Sequence, residues 1–546
     1  MRWNLVDRLV EQVAPRHALQ RAVARAKLEV MQATMPATSA AAGDASGYTS
    51  TAGGDSFLGR WFARPRSAAA DTLRQIGPQR GQARDLVRNH PLAASAINTN
   101  VARAIGTGLV WVPMPHLATL GWTVEEATAW SEEVFSEFSL WADSTECDWY
   151  GDQNFYQLQD LVTRARLESG DAFSLLPDGE ATSTQPYRLR VQVLEADRIG
   201  NPKGEGDSAE VSGGIRRGAS GRVTGVHVYN QHPGAHVATA GAGVYAGNWV
   251  EPVGASGRRR ILHHFKRLRP EQPRGVSYLA PVMGLFKLLG DYTDAEVKAA
   301  VVSAWLTMVI TSDSGTGPAP VFGLGDTGGA GAGPGQQAAS AEVEMGPGAV
   351  IGLAKGESAA FNNPGRPNPA FGPFVQSVLD QLGAGTFLGP ELIIKKFSTS
   401  YTAARAAWLD AWKHLLDVRT QTAADFCQPV METWLAEAVS RGRIRAPGFF
   451  TDPRMRWAYC RGAWHGDSQG SLNPRDEVTA FLDAIDGGLT THTRGSWELF
   501  GQDFKATVAQ RAADEALLTA RNITLRPRAG AAAAPQPSRA PEPGAA

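Results

Sequence analysis

At roughly 100–200 residues per domain, 546 residues are too many for one hydrophobic core. Hydrophobic residues make up 43% and charged ones 20%, a globular balance that excludes a wholly disordered or collagen-like chain. Lys and Arg number 53 against 54 Asp and Glu, a net charge of -1, which excludes tight gripping of nucleic acid through a general basic excess. Cys147, Cys427 and Cys460 stand far apart with no CxxC, pointing to reduced thiols in a cytosolic compartment. The longest apolar stretch, 299–310, is too short to span a bilayer, and the charged amino-terminal residues lack an apolar signal core. The expectation is a soluble chain, neither exported nor membrane-embedded.

In chain order, residues 1–32 pattern as an amphipathic helix interrupted at Pro15. Residues 33–56 are a small, polar, Gly-rich arm, and order is expected from about residue 71. Residues 84–108 read as helical, stopping at Gly106 and Gly108. Over 122–142 the apolar positions Val124, Ala127, Trp130, Val134, Phe138 and Trp141 step by three and four, predicting an amphipathic helix opened by a Thr123/Glu126 capping box. A helix closed at Gly170 and a short strand follow over 155–176. Strands alternate through Leu189, Val191 and Val193 and through Val226 and Val228, with a third at 258–268. A mixed α/β domain over 84–275, built on local strand pairs, is implied.

Residues 276–311 then read as one long helix striped by Val282, Leu285, Leu289, Tyr292, Val297, Val301, Trp305 and Met308. At 1.5 Å per residue it would reach about 50 Å. Residues 313–340 are rich in Gly and Pro without a period. A short helix over 372–385 is broken by Gly383 and Gly385, 387–400 is a loop, and 401–442 is a long helix kinked at Pro429. Two or three helices over 473–518 precede a disordered tail.

Motifs for chemistry are weak. Gly323-Leu-Gly325-Asp-Thr-Gly328 matches GxGxxG, but the residues after it cannot open a helix, so it reads as a flexible loop. No GxxxxGK[ST], GxSxG or HExxH occurs. His263 and His264 are strand neighbours facing opposite sides. His232 and His236 flank a turn without a carboxylate at ligand spacing. Glu195, Asp197 and Arg198 read as a strand-end turn with a local ion pair. No catalytic residue, metal ligand or cofactor is assigned. The basic run 258–260, with Lys266, Arg267, Arg269 and Arg274, reads as a solvated face or partner interface. Lys395 and Lys396 sit in an apolar, Gly-flanked loop. Trp130, Trp141, Trp305, Trp408, Trp412 and Trp434 fall at helical spacing and read as core.

Several segments together resemble the lambda-type portal proteins of tailed bacteriophages: 85–109, 188–202, 221–234, 263–304 and 397–412. The block PEQPRGVSYLAPVMGLFKLLGDYTDAE is the most specific. The resemblance runs in order from about 70 to 520. It implies an α+β multi-domain portal fold with no enzymatic activity. After an amino-terminal helix and arm (1–70), the parts carried over are a mixed α/β wing (71–275), a stem helix (276–311) and a Gly-rich clip (312–370). A second stem helix and tunnel loop (371–400), a long helix and wing return (401–470), a helical crown (471–525) and a tail (526–546) complete it.

The same resemblance implies a homo-oligomeric ring, usually of twelve subunits, at one capsid vertex of the virion, assembled in the host cytoplasm. Its partners would be double-stranded DNA in the lumen, the terminase large subunit, the major capsid protein and head–tail connector proteins, without membrane. Lys395 and Lys396 would touch DNA from the tunnel loop. Val282, Leu285, Leu289, Tyr292, Val301 and Trp305 would pack the stem. Helix spacing agrees: twelve helices about 10 Å apart leave a bore near 28 Å, enough for a duplex about 20 Å wide. The alternatives are a capsid or tail subunit without a channel, or a capsid-associated enzyme.

Overall fold

The computed structural model describes residues 65–235, 245–305, 309–312, 357–360, 369–397, 400–470, 473–521 and 523. The chain divides into two units, Met1–Ser67 and Ala68–Ala546, and the elements below belong to the second. The helix expected over 1–32, the 33–56 arm, His236, Met308, the 313–340 segment with its GxGxxG match, and the tail lie outside the described residues, as does the side chain of Trp305.

Helices α1 (Ala68–Asn89) and α2 (Pro91–Ala104) open the unit. They replace the single helix expected over 84–108. Pro91 has no N–H, and His90 before it is extended at φ -113° and ψ 112°, as the residue before a proline prefers. Strand β1 (Val110–Pro113) and a single turn, α3 (Leu117–Leu120), lead to α4 (Val124–Ala142). The expected capping box is present: Glu126 N–H donates to the Thr123 hydroxyl, and Thr123 N–H to the Glu126 carboxylate. Ala127, Trp130, Val134, Phe138 and Trp141 face inward, while Val124 is exposed. Helix α5 (Phe155–Ser169) stops at Gly170, whose φ of 91° suits glycine.

Seven strands follow: β2 (Asp171–Leu175), β3 (Gln192–Glu195), β4 (Val211–Ser212), β5 (Ile215–Arg217), β6 (Val223–Tyr229), β7 (Gly247–Val250) and β8 (Ile261–Phe265). They form two antiparallel sheets of order β3-β2-β8 and β4-β5-β6-β7. The second is the local meander the sequence implies. The first is not local, because Asp171 pairs with Phe265 and Leu175 with Ile261. Phe173, Leu194, Ile199, Ile215, Val226, Val228 and Ile261 fill a small core of their own.

The expected 276–311 helix is shorter. Residues 276–282 are irregular, α6 spans Met283–Trp305, and β9 (Val309–Ser312) pairs antiparallel with β10 (Glu357–Ala360). Pro281 and the Ser277 hydroxyl, which accepts from Leu279 N–H at 3.2 Å, hold the chain in turns before the helix. The Val-Ile-Thr run at 309–311 favours strand. At 1.5 Å per residue, 23 residues give about 34 Å. Helix α7 (Phe371–Thr386) runs through both Gly383 and Gly385, where a break was expected. A Cβ at Gly383 would lie 2.7 Å from Pro390, and one at Gly385 only 2.4 Å from Val282 Cγ1. These glycines admit neighbours and do not interrupt the helix.

The segment read as a loop after α7 contains a short helix, α8 (Pro390–Ile394), with Leu392 and Ile393 buried. Helix α9 (Tyr401–Thr422) continues into α10 (Gln428–Ser440) through a π-helical stretch, Ala423–Cys427, in which Gln428 N–H donates to Ala423 O. The irregularity expected at Pro429 is this widened turn just before it. Then come α11 (Pro453–Tyr459), β11 (Gly462–His465), α12 (Pro474–Asp486), α13 (His492–Phe500) and α14 (Phe504–Ala520). Strand β11 pairs with β1 across some 350 residues of chain, Val110 against His465, a contact no local pattern announces.

One large core runs from Leu86 to Cys460. Its centre is aromatic: Trp111, Phe138, Trp141, Phe155 and Trp434 are buried, and the Phe138 and Trp434 rings meet edge to face at 5.0 Å. Trp130 joins them as expected, whereas Trp408 and Trp412 only pack against the core's edge. Gly385→Ala should overpack the contact with Val282 and lower stability by about 1–3 kcal/mol. Thermal unfolding should show the loss, and Val282→Ala in the same chain should recover part of it.

Candidate functional site

The paired helices α6 and α7 and the loop that follows α7 are the region marked by the sequence. Val282 and Leu289 are buried as expected, and Phe286, absent from the expected stripe, is the most buried side chain of the face. Leu285 is half-buried against the same core. Tyr292 stacks on Phe371 at 5.6 Å and meets Phe374 edge-on at 4.9 Å. Val301 does not pack: it is 48% exposed, and Val297 59%. Beyond Tyr292 no side chain of α6 belongs to the core among the described residues. The apolar stripe thus continues onto side chains that stand exposed.

The loop is pinned at its root. Phe387 adopts φ 56° and stacks on His414 at 5.4 Å, and Tyr278 O–H donates to Thr386 O. The Ser95 hydroxyl donates to Ile393 O at 2.7 Å, fixing α8 to α2. Lys395 closes α8 in the left-handed region at φ 59°, so the chain turns sharply there and Lys396 leaves in a new direction. Both lysines are exposed and form no ion pair among the described residues. The structure thus places the two cations on a rigidly rooted tip.

Where the sheet region meets the approach to α6, the structure holds a cluster that sequence reading missed. Asp171 is fully buried. Its carboxylate accepts from Arg80 Nη2 at 2.5 Å, Arg274 Nε at 2.5 Å, Arg274 Nη2 at 3.3 Å and Gly275 N–H at 3.2 Å, with His263 Nε2 at 3.1 Å. Arg274 gives its other hydrogens to the carbonyls of Ile199, Gly213 and Ala196. Burial pushes the Asp171 carboxyl up, but the Arg274 and Arg80 guanidiniums and the His263 contact outweigh it and hold it well below the usual carboxylate range. Burial also lowers Arg80, to about 10. His263 lies between the Phe173 and Phe265 rings, and burial lowers it. His264 faces the other side, 2.9 Å from the Ser174 hydroxyl, with burial lowering it to about 3.

The rest of the expected basic run is dispersed. Lys266 pairs with Asp417 at 2.6 Å, Arg269 with Asp71 at 2.6 Å, and Arg258 with Asp178 at 2.5 Å. The expected local pair at Asp197 is instead long-range, to Arg84 of α1, while Arg198 donates to the carbonyls of Tyr229 and Asn230. His232, expected in a solvated turn without a carboxylate, faces Glu195 at 3.1 Å and Asp197 at 3.9 Å. The trio has the composition of a metal site. His232 Nδ1 accepts from Gly234 N–H at 2.9 Å, so Nε2 is the ring atom that faces the carboxylates.

Comparison with known proteins gives the family. The model of the phage portal protein, lambda family, matches residues 55–419, two-thirds of the chain, and the chain belongs to that family. It is similar to portal protein B of Escherichia phage lambda, 27% identical over 508 residues, covering 88% of this chain and 92% of the relative. It is likewise similar to the portal protein of Escherichia phage N15, 25% identical over 503 residues with the same coverage. Among solved structures, the neck of a native gene transfer agent particle computed with C12 symmetry is 13% identical with a TM-score of 0.41, covering 79% of this chain and 92% of that one. The neck of an empty particle computed with C6 symmetry is 14% identical with a TM-score of 0.40, covering 76% and 92%.

Asp171→Asn would leave two buried guanidiniums without their counter-charge and should cost about 3–5 kcal/mol. In the parent chain the Asp171 contribution is complete above the ordinary aspartate range and is lost only as pH falls through its depressed value. The two histidines act earlier. Their pKa values are lowered on folding, so the unfolded chain takes up protons first and stability should decline from about pH 6.5 downward, through about 3 for His264. Thermal midpoints measured across that range should show the decline in the parent chain and a lower plateau in the variant.

Proposed function

We propose that this chain forms the ring at the capsid vertex through which double-stranded DNA enters during packaging and leaves at infection. The observation that carries the reading is the stem pair. Helix α6, the turn before it and α7 bury one shared face through Val282, Phe286, Leu289, Leu379 and Leu382, yet leave Val297 and Val301 of α6 exposed. A water-facing apolar stripe on a helix is stable when identical copies cover it. Heterologous contacts of that kind close into a ring when the rotation per subunit divides a full turn. Family membership supports the same reading, with a terminase, the major capsid protein and head–tail connectors as partners in the virion and the host cytoplasm as the place of assembly. The wing would be 71–275, the clip 312–370 and the crown 471–525.

The lumen contact falls to Lys395 and Lys396 on their rooted tip. Two cations per subunit touch phosphate in every register without the deep counterion release that would hold DNA still. Movement is then driven from outside the ring, consistent with a net charge of -1 per subunit.

Assembled mass together with a top-view symmetry count tests the ring. A closed annulus of about twelve copies is expected, with Val297→Asp folding normally but remaining unassembled. Sheets, shells or filaments would instead mean a capsid or tail subunit. Lys395→Ala with Lys396→Ala should assemble normally yet package or retain less DNA. Packaged genomes of normal length in that variant would remove the lumen role.

A further inference from the structure

Six arginines line one groove of about 910 Å³: Arg188, Arg222, Arg258, Arg259, Arg441 and Arg456. They come from the segment before β3, the turn before β6, the loop before β8, the end of α10 and the body of α11. Segments more than 200 residues apart in sequence thus converge on one surface. Asp178, Glu432 and Glu437 also line it, but two of these carboxylates are already engaged. Asp178 holds Arg258 at 2.5 Å. Glu437 accepts from Arg441 Nε at 2.7 Å and from the N–H groups of Arg188 and Leu189 at 2.7 and 2.9 Å. Glu432 accepts a hydrogen bond from the Gln428 amide at 3.2 Å. Among the described residues, Arg188, Arg222, Arg259 and Arg456 have no carboxylate within ion-pair distance. The Arg456 guanidinium lies over the Phe449 ring at 5.5 Å, which leaves three guanidiniums without a carboxylate partner, those of Arg188, Arg222 and Arg259, on a surface with one carboxylate that has no arginine. Beside them Phe450 is 62% exposed and Val253 48%.

We propose that this groove is the docking site for an acidic segment of another polypeptide, one that carries several Asp or Glu side chains around an apolar anchor. The guanidinium fork matches a carboxylate through two parallel hydrogen bonds. Phe450 and Val253 supply the apolar contact that such an anchor needs and that a phosphate backbone does not use. Nucleic acid fits less well. A strand of phosphates would run past the Glu432 and Glu437 carboxylates, and the arginines cluster in a bowl where backbone tracking calls for a continuous stripe. The surface is separate from the stem and from Lys395 and Lys396, so its role stands or falls independently of the channel.

The test uses the full chain and a short fluorescent peptide with glutamates flanking a Leu-Phe pair, followed by anisotropy. A peptide with glutamine at each glutamate position and a DNA duplex serve as the other probes. Binding of the acidic peptide is expected to weaken with salt and to vanish for the glutamine peptide. It should fall about tenfold in the Arg222→Gln, Arg259→Gln double variant, in the range for losing desolvated charge pairs, and several-fold in Phe450→Ser. All three side chains are exposed, so the variants should keep the parent thermal midpoint. Unchanged peptide affinity in the double variant would overturn the proposal. So would a duplex that displaces the peptide and loses affinity by the same factor in that variant, which would make the groove a nucleic-acid surface.

Discussion

One buried carboxylate organises the junction between the sheet region and the approach to α6. Asp171 is the first residue of its strand and sits directly after the glycine that ends α5. It draws Arg80 from the first described helix, His263 from the neighbouring strand and Arg274 from the chain about to enter the stem into one dry site. Isolated, any of these charges would be too costly to bury. Together they satisfy one another, and the geometry that does so is narrow. Gly275 is part of it: a Cβ there would lie 1.9 Å from Gly170 O, so only glycine lets the two backbones pass. The path of the chain toward α6 is therefore set by electrostatics and close backbone approach, within the block of sequence that carries the strongest family resemblance.

The boundary between what the sequence revealed and what it hid follows the range of the interactions. The capping box at Thr123, the inward face of the helix after it, the stop at Gly170 and the meander around Val226 depend on neighbours a few residues away, and all were legible. Asp171, Arg80 and Arg274 were not, because their partners lie 91 and 103 residues distant and a lone Asp or Arg carries no local mark of burial. The glycines of α7 misled for a related reason. Read alone, Gly383 and Gly385 weaken a helix. In the fold they are the places where Pro390 and Val282 need room. Along α6 and the turn before it the apolar stripe runs from buried Val282 and Leu289 to exposed Val297 and Val301, since periodicity reports which face is apolar and not what covers it.

The large core is aromatic, closely packed and complete within one chain. The outer half of α6 carries Val297 and Val301 exposed. The loop carrying Lys395 and Lys396 is rooted by Phe387, Tyr278 and Ser95, and both charges are exposed. A subunit with finished foundations and an unfinished rim can fold to a defined shape first and acquire the rest of its contacts by association.

The pairing of β1 with β11 has a consequence for how the chain is made. The residues that complete the first strand, 462–465, are synthesised some 350 residues after it. At about 5–20 residues per second, translation takes tens of seconds to cover that distance. During that interval Trp111 and the aromatic ring system around it lack their outer cover, and a strand edge stands open. The nascent polypeptide is therefore exposed to mispairing until residue 465 has emerged, a ribosome pause before that point would prolong the exposure, and truncation there would release chains with an unsealed interior.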